Sequence, residues 1–122
     1  RMVRDLDMNL DIVVVPTVRE LDGLAMSSRN SYLDVRERAA ATVLHRALVA
    51  ARELRRDGCR DASSAVRRMA DIIGGEPLAQ VDYISIVDPM TFRGVESLDG
   101  ETLAVLAVRF GATRLIDNML LD

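Results

Sequence analysis

The apolar residues near the start of the chain form one compact β-branched run. Residues 1–10 resemble the end of a helix, and residues 11–15, Asp-Ile-Val-Val-Val, follow them and are closed by Pro16. A short apolar run that is rich in β-branched side chains and bounded by proline is typical of a buried strand. Because nothing before this strand offers it a partner, we expect the chain to be the C-terminal part of a longer protein.

The middle of the chain has the period of amphipathic helices. Asp34 and Glu37 stand three residues apart, which is the spacing of a helix capping box. Apolar residues recur at intervals of three and four over 40–54, which predicts one long helix that ends near Gly58. A second helix is expected over 61–75, because an aspartate opens this segment, apolar residues share one face and two glycines close it.

The last third of the chain changes to β-rich runs. Strands are predicted over Val81–Val87, Thr102–Val108 and Thr113–Met119, and the last two runs are close enough in sequence to form a hairpin. Helices followed by antiparallel strands indicate an α+β fold, in which the helices pack on a small three-stranded antiparallel sheet.

The composition excludes several classes of protein. The chain has 122 residues, a formal net charge of −3 and 49% hydrophobic residues, which describes one globular domain. The acidic balance and the four scattered aromatic residues argue against a nucleic-acid interface, and no apolar run approaches the ~20 residues that cross a bilayer. The single cysteine, Cys59, permits no internal disulfide, and the first residues lack the apolar core of a secretory signal, so we predict a cytoplasmic protein.

The basic residues are all arginines. Because lysine is absent, any cation that contributes to chemistry must be a guanidinium. Residues 35–70 contain nine arginines and four acidic residues, which we interpret as the solvated faces of two helices rather than as a basic binding face. His45 lies among these arginines without a second ligand at metal-binding spacing, so we interpret it as a surface histidine and predict no metal site.

One segment, residues 16–30 (PTVRELDGLAMSSRN), combines the residue types of an anion site. It follows a predicted strand, and loops at the carboxyl ends of strands bind ligands in open α/β sheets. Ser27 and Ser28 offer hydroxyl and backbone N–H donors, and Arg29 offers a planar fork of donors to a phosphate. The same residues are also compatible with an ordinary helix N-cap followed by a surface arginine.

This segment belongs to a longer pattern that resembles a known family. Residues 16–34, PTVRELDGLAMSSRNSYLD, are similar to the signature of the pantothenate synthetase (pantoate–β-alanine ligase) family, and MSSRN resembles that family's form of the KMSKS loop of nucleotidyl transferases. The lysine that names the KMSKS motif is absent, and Arg29 is the loop's only cation. The similarity continues through Val81-Asp82-Tyr83 to residues 112–118, ATRLIDN.

The resemblance implies a domain organisation. The family has an N-terminal Rossmann-like domain with a HIGH-type motif and the pantoate pocket, and a smaller C-terminal domain that acts as a lid. Residues 1–16 would be the remnant of the first domain, residues 17–30 the hinge and the KMSKS-like loop, and residues 31–122 the lid. The hinge itself is expected between Val15 and Gly23. No HIGH-type motif occurs in this sequence, so most contacts to pantoate and β-alanine are expected in the missing domain.

The resemblance also implies an activity and a set of site residues. The family joins pantoate to ATP, which gives pantoyl adenylate and pyrophosphate, and β-alanine then displaces AMP to give pantothenate. The positions that match the family's phosphate-binding loop, to which we assign the catalytic contacts, are Ser27, Ser28 and Arg29. The positions that match contacts along the adenosine are Val15, Val18 and Met26. Mg²⁺ is expected to arrive bound to ATP, and Arg19 is assigned only a structural or hinge role.

Assembly and two alternative functions stay open. The family dimerises mainly through the N-terminal domain, so a monomer is expected here, although the strand at 12–15 could pair with a second copy. One alternative is the lid of another nucleotidyl transferase with the same loop type, such as a cytidylyltransferase or a tRNA synthetase. The other is an α+β module that binds nothing well by itself, and we expect the isolated chain to be inactive.

Overall fold

The structure, a computed structural model, describes residues 18–26 and 28–122. The predicted strand over 11–15, the predicted domain remnant over 1–16, and the site positions Val15 and Ser27 lie outside these residues. The elements of the described chain are, in order, a 3-10 helix (Ser28–Tyr32), α1 (Val35–Ala40), α2 (Val43–Arg56), α3 (Ala62–Gly74), β1 (Ala79–Val87), β2 (Thr102–Phe110) and β3 (Thr113–Leu121). None of its helices combines the length and the apolarity that a bilayer crossing requires.

The three strands form an antiparallel meander in the order β1-β2-β3, and the helices pack on one face of it. The predicted α+β fold is therefore confirmed. The predicted hairpin between β2 and β3 is also confirmed, and Gly111 makes its turn with a φ of +63°. Among the described strands, β3 lies at an edge of the sheet and pairs with β2.

The core lies between the helices and β2. Alternate residues of β2 face the helices and are fully buried, namely Ala104, Leu106, Val108 and Phe110. The buried helical residues that pack against them include Leu44, Ala47, Leu48, Ala51, Ala65, Met69 and Ile73. The apolar faces predicted for the two helical segments are thus the faces that the fold buries.

The first helical segment differs from its prediction because it is interrupted. The chain forms α1 and α2 instead of one helix, with a tight turn at Ala41 and Thr42. The Thr42 backbone N–H bonds to Ala39 O, three residues earlier, and its hydroxyl donates to the same carbonyl at 2.8 Å. A threonine side chain that competes for backbone carbonyls in this way disturbs a helix, which explains the break.

The capping box at the start of α1 is present as predicted. The Asp34 carboxylate accepts from the Glu37 backbone N–H at 2.7 Å, and the Glu37 carboxylate accepts from the Asp34 backbone N–H at 3.1 Å. We expect Asp34→Ala to lower the free energy of unfolding by about 1 kcal/mol, as measured by urea denaturation. Asp71→Ala, which removes an exposed carboxylate within α3, should not lower it; an equal loss in both variants would contradict the capping role.

Candidate functional site

The segment before the signature serines folds into a tight hairpin over residues 18–26. The Met26 backbone N–H donates to Val18 O and the Glu20 N–H donates to Leu24 O, both at 2.8 Å, and Gly23 N–H closes the turn on Glu20 O at 2.9 Å. Gly23 has a φ of +94°, a conformation that glycine adopts without a steric penalty. The hairpin therefore fixes the direction in which the chain enters the Met26–Arg29 segment.

One apolar and one charged contact fasten the hairpin to the core and to β3. Leu24 lies in the core with 2% of its surface exposed. The Arg19 guanidinium donates to both carboxylate oxygens of Asp117 in β3, at 2.7 and 3.0 Å, and also to Gly23 O and Asn118 O. These contacts give Arg19 a structural role, in line with the assignment made from the sequence.

A second arginine ties the turn of the hairpin to α1. Arg38 donates to both carboxylate oxygens of Asp22, at 2.8 and 3.1 Å. These hydrogen bonds hold the pKa of Asp22 below its usual value. Unlike the Arg19 pair, this pair is exposed, with 29% and 47% of the two side chains accessible. Exposed pairs of this kind contribute little to stability.

The structure brings together two of the positions predicted to contact adenosine. Val18 and Met26 are opposite each other in the hairpin, and both side chains are largely exposed, at 67% and 57%. Ser28 opens the 3-10 helix, and Arg29 is its second residue and is exposed.

A cavity of about 350 Å³ lies beside this loop. The hairpin and the 3-10 helix, including Met26 and Arg29, line one side of it, and residues 114–118 of β3 line the other. The Arg29 guanidinium donates to Arg114 O at 3.3 Å across this gap. Asn30 Nδ2 donates to Ala25 O at 3.1 Å, while Asn30 Oδ1 is buried and accepts from none of the described residues.

The far side of the cavity is held in place by an ion cluster that the sequence did not reveal. A bulge in β1 between Val81 and Tyr83 brings Asp82 against Arg114 and Arg109, at 2.7 and 3.3 Å. The hydrogen bond from Arg114 holds the pKa of Asp82 below its usual value. The Arg114 guanidinium also lies over the Tyr83 ring, 5.8 Å from its centre. These contacts fix the start of β3, where Arg114 O accepts the hydrogen bond from Arg29.

His45 is not the surface histidine that the sequence indicated. Its ring is partly buried against Gly23, and its Nδ1 atom is buried without a hydrogen-bond partner in the described part of the chain. Burial lowers the pKa of His45, and the neighbouring positive charge of Arg19 lowers it further. The site therefore favours the neutral form of His45, which packs beneath the turn of the hairpin.

The lowered pKa of His45 predicts a pH dependence of stability. Below the ordinary histidine value of 6.5, the unfolded chain binds a proton that the folded chain resists. We expect the free energy of unfolding, measured by urea denaturation, to decrease as the pH falls through this value, down to the lowered pKa of the folded protein. The decrease should be smaller in His45→Gln, and an identical pH profile in the two proteins would contradict the effect of burial.

The described residues contain no group of three or more histidine, cysteine, aspartate or glutamate side chains that could hold a metal ion. Cys59 is half-buried in the turn between α2 and α3, where its Sγ contacts Asp61 O at 3.6 Å.

The hairpin and the 3-10 helix together present an exposed apolar pair, Val18 and Met26, and an exposed arginine, Arg29. A cavity lies beside Met26 and Arg29. Such an arrangement suits a ligand with an apolar part and an anionic part.

Comparison with known proteins gives consistent matches. A family model described as pantoate-beta-alanine ligase matches residues 1–120. The pantothenate synthetases of Heliobacterium modesticaldum and Herpetosiphon aurantiacus are 53% and 51% identical over 122 residues, which cover 100% and 99% of this chain. The same alignments cover 43% and 44% of the relatives, so this chain spans less than half of their length.

Solved structures show the same likeness. The crystal structure of pantothenate synthetase from Thermus thermophilus matches with a TM-score of 0.81 and 42% identity, over 86% of this chain and 38% of that one. A pantoate-beta-alanine ligase from Francisella tularensis, crystallised with beta-gamma ATP and beta-alanine, matches with a TM-score of 0.53 and 26% identity. That match covers 87% of this chain and 31% of the Francisella protein.

Proposed function

Because this chain belongs to the pantoate–β-alanine ligase family, we propose that it forms the lid that supplies the ATP-phosphate-binding loop of a pantothenate synthetase. The observation that carries the proposal is the placement of Val18, Met26 and Arg29. The first two form one exposed apolar pair, and Met26 and Arg29 line the same cavity. An apolar surface beside a guanidinium matches a nucleoside with its phosphates.

The proposed reaction of the whole enzyme has two steps. A carboxylate oxygen of pantoate attacks the α-phosphorus of ATP, and the bond to pyrophosphate breaks. The neutral amine of β-alanine then attacks the acyl carbon of pantoyl adenylate, AMP leaves, the nitrogen loses a proton, and the amide of pantothenate forms. Negative charge develops on the departing pyrophosphate in the first step, so donors aimed at it lower the barrier.

The lid residues act in this proposal by positioning and electrostatics. Arg29 stabilises the phosphate charge through charge-assisted hydrogen bonds, and Ser27 and Ser28 donate to phosphate oxygens. Val15, Val18 and Met26 lie along the adenosine. Because an ionised carboxylate is already a nucleophile, no general base is needed for the first step, and alignment of the reactants supplies much of the remaining rate.

Arg29 bonds to Arg114 O in the present structure, so phosphate binding must accommodate or replace that bond. A guanidinium carries five N–H donors in a fixed fork. Phosphate binding would therefore redistribute the donors of this side chain between its present partners and the ligand. Phosphate binding at Arg29 would in this way be linked to the contact between the loop and β3.

Mg²⁺ enters the proposal together with ATP. The part of the chain that the structure describes has no cluster of carboxylates to form a protein cage for the ion. Mg²⁺ usually keeps several waters and binds through substrate phosphates. When bound, the ion neutralises phosphate charge, which leaves the orientation of the phosphates to the loop.

The family match favours a ligase over the other nucleotidyl transferases that share this loop type. The relatives at 51% and 53% identity are both pantothenate synthetases. We expect the isolated chain to be inactive, because most contacts to pantoate and β-alanine are expected in the other domain. This stays a prediction. Dimerisation through that domain and a cytoplasmic location also stay predictions.

A chimaera tests the proposal directly. This chain replaces the matching 43% of the Heliobacterium enzyme, and formation of AMP, pyrophosphate and pantothenate is followed with ATP, pantoate and β-alanine. We expect pyrophosphate release that depends on pantoate and pantothenate formation that depends on β-alanine, while the chain alone does neither. A folded chimaera that releases no pyrophosphate, or accepts unrelated acids equally well, would contradict the proposal.

Amide NMR of the chain alone adds a second measurement. Titration with Mg-ATP is expected to shift resonances of residues 15–30, and AMP should shift them much less because it lacks the outer phosphates. Shifts of that kind would show that the loop recognises phosphates without the other domain. No shift at millimolar Mg-ATP would mean that the site forms only between two domains.

A further inference from the structure

The most deeply buried ion pair in the described residues joins the 18–26 hairpin to β3. Arg19 and Asp117 are 98 residues apart in sequence, and the two hydrogen bonds between them are 2.7 and 3.0 Å long. Only 1% of the Asp117 side chain is exposed, and 17% of Arg19. The single further donor to the Asp117 carboxylate among the described residues is the Asn118 backbone N–H, at 2.8 Å.

The pair is connected to the loop by a short and rigid path. Arg19 and Ala25 face each other as a bridge in the hairpin, and Met26 N–H bonds to Val18 O directly beside them. On the other side of the serines, Asn30 donates to Ala25 O. The contact between Arg19 and β3 thus sets the position of both ends of the Met26–Asn30 segment.

We infer that Arg19 and Asp117 are positioning residues for ATP: their ion pair holds the hairpin on β3 and so orients the loop that binds the phosphates. This inference rests on the proposed function of the loop. Neither side chain touches the nucleotide in this account. Their effect is to keep the loop in the one arrangement that can bind it.

We call the Arg19–Asp117 ion pair the clamp, and we expect it to stay formed in the folded domain. A buried carboxylate that loses its partner leaves an uncompensated charge, which is strongly unfavourable. The parallel two-bond geometry also restricts the angle of approach, which a single contact would not. The Arg38–Asp22 pair has the same residue types and the same two-bond geometry on the same hairpin, but it is exposed. It therefore serves as a matched control.

Three variants test the clamp in the full chain. Asp117→Asn keeps the shape and removes the charge, Arg19→Lys keeps the charge and removes the fork, and Arg38→Ala removes the exposed pair. Hydrogen exchange of the Glu20, Gly23 and Met26 amides reports on the hairpin. We expect the first two variants to speed this exchange by roughly 10-fold or more while amides of α3 and β2 are unchanged. Arg38→Ala should change it by less than about 3-fold.

Kinetics of the chimaera test the link to ATP. If the competent arrangement of the loop falls to about a tenth of the population, the apparent affinity for Mg-ATP falls about 10-fold. We therefore expect the KM for ATP to rise about 10-fold in Asp117→Asn and less in Arg19→Lys, with the KM for β-alanine unchanged. A merely structural role would change the amount of folded enzyme and leave both KM values as they were.

The possible outcomes separate this inference from the function on which it rests. Unchanged exchange in the hairpin, or an unchanged KM for ATP in an active chimaera, overturns the clamp and leaves the proposed function intact. Faster exchange in a chimaera that uses no ATP even with the natural residues overturns the proposed function. Should Asp117→Asn fail to fold, Arg19→Lys carries both measurements.

Discussion

Replacement of Arg29 by alanine is expected to lower the rate of pyrophosphate release by about 100-fold in the chimaera that carries this chain. Arg29 is the only basic residue of the Met26–Asn30 segment, and lysine is absent from the whole sequence. The variant therefore removes the one formal positive charge that this loop can direct at the departing phosphates. Single-turnover release of pyrophosphate with saturating ATP and pantoate measures the effect.

Two further variants make the Arg29 result specific. Arg36→Ala removes an exposed arginine of α1 and should leave the rate unchanged, which controls for a general loss of positive charge. Arg29→Lys keeps a point charge without the planar fork and should recover only part of the rate. An unchanged rate of pyrophosphate release in Arg29→Ala would remove Arg29 from the catalytic assignment.

The elements of this fold follow largely from local patterns. The capping box at Asp34 and the faces of α2 and α3 were predictable because each depends on residues three or four apart. The break at Ala41 and Thr42 was not, because it depends on where one hydroxyl finds a carbonyl. The bulge at Asp82 was missed for a similar reason, since it satisfies arginines on two other strands.

The candidate site was predictable only in part. The roles proposed for Val18, Met26 and Arg29 came from a family resemblance. The structure shows that Met26 and Arg29 line one cavity and that Val18 lies opposite Met26 in the hairpin. Asp117 was missed as the partner of Arg19, because a pair separated by 98 residues leaves no local spacing to recognise. The sequence did hold one signal, namely a carboxylate that interrupts the apolar positions of a predicted strand.

The contact between His45 and Gly23 also joins residues that are distant in sequence, so no local spacing predicts it. It gives the last prediction. A Cβ on Gly23 would overlap the His45 ring at Cδ2 and lie 2.7 Å from Cγ, and the φ of Gly23 is +94°. Gly23→Ala therefore combines a left-handed alanine, at roughly 1–2 kcal/mol, with overpacking of typically 1–3 kcal/mol. We expect it to lower the free energy of unfolding by about 3 kcal/mol, as measured by urea denaturation.

Gly58 offers a control that separates the two contributions. It has a φ of +105°, and nothing lies within 4 Å of the Cβ that a substitution would add. Gly58→Ala should therefore show only the backbone cost of roughly 1–2 kcal/mol. In a His45→Ala background, Gly23→Ala should fall to the same value, because the ring that it would overlap is gone. If the cost of Gly23→Ala were the same with and without the histidine ring, the close packing of His45 beneath the hairpin would be wrong.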